Sequence, residues 1–183
     1  HPEMEQKNGE LKEKDKYLSP PGRGNLLYFP PRVSPAWLDD ASIPAVIVEG
    51  EKKTLALGAL AWHGLSDAAE LPRFLPIGIS GVWNWRGTIG KTLGPDGDRR
   101  DVKGPIPDLD KIQWTGRKVT ILFDTNIRTN ETVQHARTAL RSELRRRGSR
   151  VHFYDWPEDT PGHVNGIDDL AGMWGPDRVL ELL

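Results

Sequence analysis

Residues 118–126 read Lys-Val-Thr-Ile-Leu-Phe-Asp-Thr-Asn, and this stretch constrains the fold more than any other. Val119, Ile121, Leu122 and Phe123 form a nearly unbroken apolar run, which suits a strand covered on both faces. Asp124 then stands at the carboxyl end, where open α/β sheets place their ligands. A second run, Ala45-Val46-Ile47-Val48, ends in Glu49-Gly50-Glu51, and a later segment carries Gly166-Ile167-Asp168-Asp169. Three acidic ends in one α/β domain predict a site for a hard cation.

The bulk properties narrow the choice of ion and partner. The 183 residues suffice for one domain with a full core and some tail. The chain lacks cysteine, which excludes disulfides, thiolate zinc sites and a cysteine nucleophile. Its five histidines do not pair at ligand spacing, so magnesium or manganese on oxygen ligands fits better than zinc. A formal net charge of −1 gives no global field toward nucleic acid or membrane, and any nucleic-acid affinity must come from a local patch. No apolar run reaches transmembrane length and no signal peptide is visible, so a cytoplasmic protein without membrane contact is expected. His1-Pro2-Glu3, without an initiator methionine, reads as a tag remnant or the start of a fragment.

Residues 1–36 are polar and proline-rich, a tail with a short anchor at Leu26-Leu27-Tyr28-Phe29; residues 3–16 read as disordered or as a solvated helix. Residues 37–183 carry the α/β pattern. Strand 45–48 leads to a helix near 52–62, with Leu55, Ala59 and Trp62 as its inward face. A second strand covers 74–79, and residues 88–108 form a long excursion without period, mobile or ligand-binding. Strand 118–123 precedes a helix over 131–147, with Asn130 as N-cap and Val133, Ala136, Leu140 and Leu144 inward. A strand at 150–156 and a last helix at 176–183 complete the pattern. Strands alternating with helices predict a central, mainly parallel sheet of about four strands flanked by helices.

Several residues have both a functional and a plain structural reading. Lys52 and Lys53 sit at a helix N-terminus, where they would face phosphates or simply be solvated. Gly81, with Gly78, would let backbone amides approach a phosphate. Trp83 and Trp85 flank Asn84, with Arg86 next; they would stack unpaired bases, or pin a glycine turn from the core. Arg137, Arg141 and Arg145 share a helical face, either a track for a nucleic-acid backbone or a charged outer surface. Asp168 and Asp169 would cap a short helix or reach the cation.

Val48-Glu49-Gly50-Glu51-Lys52-Lys53, followed by Leu55-Ala56-Leu57, resembles the first motif of Toprim domains. That fold is shared by bacterial-type primases, type IA and II topoisomerases, nucleases of the overcoming-lysogenization-defect type and recombination-mediator proteins. Phe123-Asp124-Thr125-Asn126 resembles the Asp-x-Asp motif of the same fold. Together with Gly81-Val82-Trp83-Asn84-Trp85 and Asn165-Gly166-Ile167-Asp168-Asp169, these motifs look like an uncharacterised Toprim-like family that accompanies primase and helicase modules of phages, plasmids and integrated elements. The resemblance spans roughly residues 26–183.

It implies a Toprim-like fold and a metal-dependent domain of a replication or mobile-element protein, with primase-type nucleotidyl transfer first. A DNA nuclease, or a non-catalytic scaffold binding DNA or a helicase, are its alternatives. Glu49 would be the general acid or base and Asp124 the principal ligand to Mg2+ or Mn2+. Asn126 stands where most such domains have a second aspartate, so it would ligate without charge, and Asp168 or Asp169 would compensate. Lys52, Lys53, Gly81, Trp83, Arg86, Arg137 and Arg141 would contact DNA, single-stranded in the first instance, beside a helicase or primase module.

Overall fold

The computed structural model describes residues 4–7, 10–13, 24–66 and 70–183. Near the N-terminus β1 (Met4–Lys7) pairs antiparallel with β2 (Glu10–Glu13). This hairpin replaces the disorder or solvated helix expected there; residues 14–23 lie outside the described part. The main body follows with β3 (Leu27–Tyr28), α1 (Pro35–Asp39), β4 (Ala45–Glu49), α2 (Glu51–Trp62) and β5 (Leu75–Ile79). Next come β6 (Arg86–Leu93), β7 (Arg99–Pro105), β8 (Lys118–Leu122), α3 (Glu131–Arg146), β9 (Arg150–Phe153), α4 (Ile167–Trp174) and α5 (Pro176–Leu180).

Five strands form one mixed sheet in the order β3-β5-β4-β8-β9. β5, β4, β8 and β9 run parallel, and β3 closes one border antiparallel to β5. The reason lies in the strand sequences. Ala45, Val46, Ile47 and Val48 are all buried, as are all of β5 and Val119, Ile121 and Leu122 of β8. Apolar side chains on both sides of a strand need cover on both sides, which a parallel sheet flanked by helices supplies. Each fully buried Leu or Ile contributes about 2 kcal/mol.

The helices dock by different means. On α3 the expected stripe holds: Val133, Ala136, Leu140 and Leu144 are buried, and the Asn130 side chain accepts from the amides of Thr132 (3.0 Å) and Val133 (3.3 Å). On α2 the inward face is not the expected one. Thr54, Leu57, Leu60 and Ala61 are buried, whereas Leu55 is 46% exposed. Apolar residues surround this helix, so periodicity does not select a face. Close approach does: a Cβ at Gly78 of β5 would collide with Thr54 Oγ1, so the helix settles where the strand lacks a side chain.

The excursion expected to lack regular structure is also corrected. β6 and β7 form an antiparallel hairpin with an irregularity between Thr88 and Gly90, closed by a turn in which Gly94 donates to the Asp98 carbonyl. From Thr88 to Lys103 its side chains are exposed on both faces, which explains why no apolar period marked it. Just before β8, Arg117 is fully buried and donates to the carbonyls of Gln113 (2.8 Å), Ile43 (2.6 Å), Trp37 (3.1 Å) and Leu38 (2.8 Å). One guanidinium thus ties α1 and the approach to β4 onto the start of β8.

At the far border, Arg137 and Arg141 of α3 lie over the Phe153 ring of β9, 4.1 and 4.5 Å from its centroid. Among the described residues no helix is long and apolar enough to cross a membrane.

Two substitutions test this account. Gly78→Ala is expected to cost about 1–3 kcal/mol by forcing α2 off the sheet, read as a lowered urea midpoint; an unchanged midpoint would refute the close-packing argument. Arg117→Lys is expected to cost about 3 kcal/mol, since a compact ammonium cannot serve carbonyls spread around a planar fork; the same titration measures it.

Candidate active site

β4 and β8 are neighbours and parallel, with Val48 opposite Leu122. From β4 the chain passes to β5 on one side, while β8 and β9 extend the sheet on the other. The β4–β8 gap is therefore the point where strand order turns back, and ligands of open α/β sheets bind outside the carboxyl ends at such a point. Glu49 ends β4 there. Asp124 follows Phe123 at the tip of β8 and opens a 3-10 turn over Thr125–Arg128.

Local hydrogen bonds hold both tips. The chain leaves β4 through Gly50 at φ 86°, a left-handed turn that favours glycine, and the Gly50 amide still donates to the Ile79 carbonyl of β5 at 2.7 Å. α2 therefore starts directly above the sheet edge, with Lys53 in its first turn. On the other side, the Trp156 indole donates to the Phe123 carbonyl at 2.7 Å. The Thr125 amide donates to the Asn165 carbonyl (2.9 Å) and its hydroxyl to the Val164 carbonyl (3.0 Å), which draws the Gly166–Asp168 segment against Asp124.

The cluster that results contains an acidic group and a lysine that is part of it. Lys53 Nζ lies 2.9 Å from Asp124 Oδ2, and the two side chains are 20% and 18% exposed. Asp124 Oδ1 and Asp168 Oδ1 are both buried without a hydrogen-bond partner. Burial, then the charge of Asp124, pushes the Glu49 carboxyl up from its ordinary value, against the pull of Lys53. Asp124 is also pushed up, by burial first; the Lys53 hydrogen bond and charge oppose this, and the charges of Asp168 and Asp169 add to it. Burial alone would lower Lys53, yet its bond to Asp124 and the charges of Asp124, Asp168 and Glu49 carry it above its usual value. One contribution is common to the three shifts besides burial. Neighbouring carboxylates raise Glu49, Asp124 and Lys53 alike, and on Asp124 the Lys53 ammonium works against them.

The other expected residues have varied surroundings. Asp169 caps α4: its Oδ2 accepts from the amides of Asn165 (2.8 Å) and Gly166 (3.4 Å), while its charge still reaches Asp124. Asn126 is exposed in the 3-10 turn, where its carbonyl accepts from Asn130. Lys52 is exposed beside the cluster. Gly81 and Trp83 follow β5 at the same sheet edge. Trp85 is buried; Trp83 is half-buried and stacks on it at 6.4 Å and 24°. The Arg86 guanidinium lies 6.0 and 5.6 Å from the two ring centroids.

The arginine face of α3 is largely spoken for. Arg137 donates to Asp155 (3.2 Å) besides covering Phe153 with Arg141. Arg146 and Arg147 pair with Glu143, and Arg147 also with Asp110. Lys53 is neither solvated nor turned outward as the sequence suggested; its seat depends on Gly166, whose missing Cβ leaves the space that the Lys53 stem fills.

The donor set suits a hard divalent cation: carboxylate oxygens, two of them without donors, around one ammonium. Among the described residues no group of three or more His, Cys, Asp or Glu is arranged to hold a metal ion, so these side chains would have to close in to hold one.

The raised carboxyl values carry a sign. Between the ordinary carboxylate range and the raised native values, the folded protein keeps protons that the unfolded chain has released, so stability falls as pH rises. Glu49→Gln is expected to flatten that fall and to add about 1 kcal/mol at neutral pH, as relief of site strain commonly does. Urea midpoints between about pH 4 and pH 7 check this; an unchanged neutral-pH midpoint would remove the claim of repulsion.

Comparison with known proteins gives one result. Neither the curated proteins nor the solved structures contain a match to this chain. The sequence profile described as "Domain of unknown function (DUF3854)" matches residues 36–177, the span that carries β4 to β9 and every residue of the acidic cluster, and the chain belongs to that family.

Proposed function

We propose that this domain is a Toprim-like, magnesium- or manganese-dependent nucleic-acid-processing unit of a replication or mobile-element protein, with primase-type nucleotidyl transfer as its reaction. One observation carries the reading. Glu49, Asp124 and Asp168, from three distant parts of the chain, meet at the switch point of a parallel sheet with two carboxylate oxygens lacking donors. The motifs that resemble Toprim domains are the ones that converge.

In this reading Asp124 and Asp168 hold the divalent ion. The carboxylates outnumber the single ammonium, and a divalent ion would offset the excess negative charge. When bound, the ion would neutralise phosphate oxygens and acidify the attacking hydroxyl. Glu49 moves the proton: its raised affinity for a proton brings it closer to the pH at which a general base works well. Lys52 at the start of α2 and the half-buried Trp83 with Arg86 orient the strand, by charge and by stacking. A helicase or primase module would supply the DNA in single-stranded form.

A second reading, a non-catalytic scaffold that binds DNA or a helicase, has the Lys53–Asp124 pair in its favour. An ammonium already paired with Asp124 satisfies the carboxylate without a metal.

Manganese titration followed by electron paramagnetic resonance separates the two. Binding is expected, and Asp124→Asn is expected to weaken it roughly tenfold or more, because a lost unit charge at contact is worth several kcal/mol before desolvation. No binding with or without DNA would leave the scaffold. With binding established, nucleotide-dependent primer formation on single-stranded DNA is the expected activity. Cleavage without nucleotide would reassign the site to a nuclease.

A further inference from the structure

Lys53 is the one residue of the cluster whose position conflicts with its expected task. It leaves the first turn of α2 and, instead of pointing outward, spans to the tip of β8. Its stem runs across Gly166. A Cβ at that position would collide with Lys53 Cε and come within 2.8 Å of both Lys53 Cδ and Asp168 Oδ1. The stem and Asp168 Oδ1 therefore border the same space that Gly166 leaves, the ammonium pairs with Asp124 Oδ2, and the charge of Asp168 reaches that ammonium. The same arm occupies one carboxylate that the cation needs and runs beside a second. Gly166 itself has φ −146° and ψ −178°, an extended conformation open to any residue, so space for the lysine is the demand that glycine meets here.

We infer that Lys53 is a substrate-released gate: its ammonium stands in for the divalent ion in the free protein, and a phosphodiester backbone arriving at the sheet edge draws it off Asp124, opening the site to metal. This rests on the metal-site reading proposed above and adds an order to it. The chemistry is an exchange of partners among three charges. In the free protein the ammonium neutralises part of a site with excess negative charge. A phosphate next to α2 offers the ammonium an alternative anion, at a helix N-terminus that itself favours anions. Asp124, once vacated, then binds the divalent ion together with Asp168, and the ion and the phosphate support each other. The lysine in its released position holds the substrate backbone, so Lys53 positions substrate and metal in turn. Thermodynamic linkage makes the coupling mutual: nucleic acid tightens metal and metal tightens nucleic acid by the same factor.

The test measures Mn2+ affinity with and without a single-stranded thymidine oligonucleotide, in wild type, Lys53→Met, Lys53→Arg and Gly166→Ala. Paramagnetic resonance gives free manganese, and circular dichroism checks each fold. Wild type is expected to bind manganese about tenfold or more tightly with the oligonucleotide present. An uncharged methylphosphonate version of the same oligonucleotide should leave the affinity unchanged. Lys53→Met keeps the length of the arm and removes its charge; it should bind manganese tightly without nucleic acid and lose most of the increase. Gly166→Ala keeps the charge and removes the seat, and should shift the same way. Lys53→Arg should retain the coupling. A residue with a merely structural role would not raise metal affinity when removed.

Equal manganese affinity with and without the oligonucleotide, together with no gain in Lys53→Met or Gly166→Ala, would overturn the gate and leave the metal site standing. An increase that survives intact in Lys53→Met would also overturn it, since the phosphate would then act directly on the ion. Absence of manganese binding in every form would sink the metal reading and the gate with it. Should Lys53→Met not fold, the wild-type coupling and Gly166→Ala decide.

Discussion

The parallel pairing of β4 with β8 is the constraint on which the rest of the structure depends. It sets Val48 against Leu122, and from that register the two acidic tips must emerge at the same edge, one residue apart in height. Neither Glu49 nor Asp124 would choose such company in water. The core enforces it, because Val46, Ile47, Val48, Ile121 and Leu122 are buried together and a slip in register would expose part of that set. Burial in one part of the molecule thus sustains repulsion in another. Such local conflict, stable only because surrounding packing overdetermines it, is characteristic of sites built to act on something else.

Lys53 and Gly166 refine that picture. An acidic cluster with no internal counter-ion would be costly at rest and would bind any available cation. One lysine moderates both effects. It lowers the standing charge without satisfying Asp124 Oδ1 or Asp168 Oδ1, so the site stays receptive. Asp169 contributes differently, by fastening the start of α4 and so fixing the height at which Asp168 meets the cluster.

What could be read from the chain follows from where each residue's environment is decided. β4 and β8 were legible because their apolar runs permit only a doubly covered strand. α3 was legible because Val133, Ala136, Leu140 and Leu144 recur at helical spacing against a charged background. α2 existed in the sequence but its orientation did not, since apolar residues ring it and a distant glycine on β5 selects the face. The β6–β7 hairpin escaped notice because solvent on both sides leaves no alternation to detect. Glu49, Asp124 and Asp168 could be nominated from strand ends and motif resemblance. The inward turn of Lys53 could not, because the space it fills is created by Gly166 from far along the chain.

The borders of the main sheet have a consequence of their own. One is closed by the two residues of β3, and the other by the four of β9, where Arg137 and Arg141 crowd the Phe153 ring. Unpaired backbone along a border invites a neighbouring chain to add a strand, and short, cation-guarded borders discourage it. A domain with borders of this kind is thereby kept from stacking sideways into fibrous aggregates.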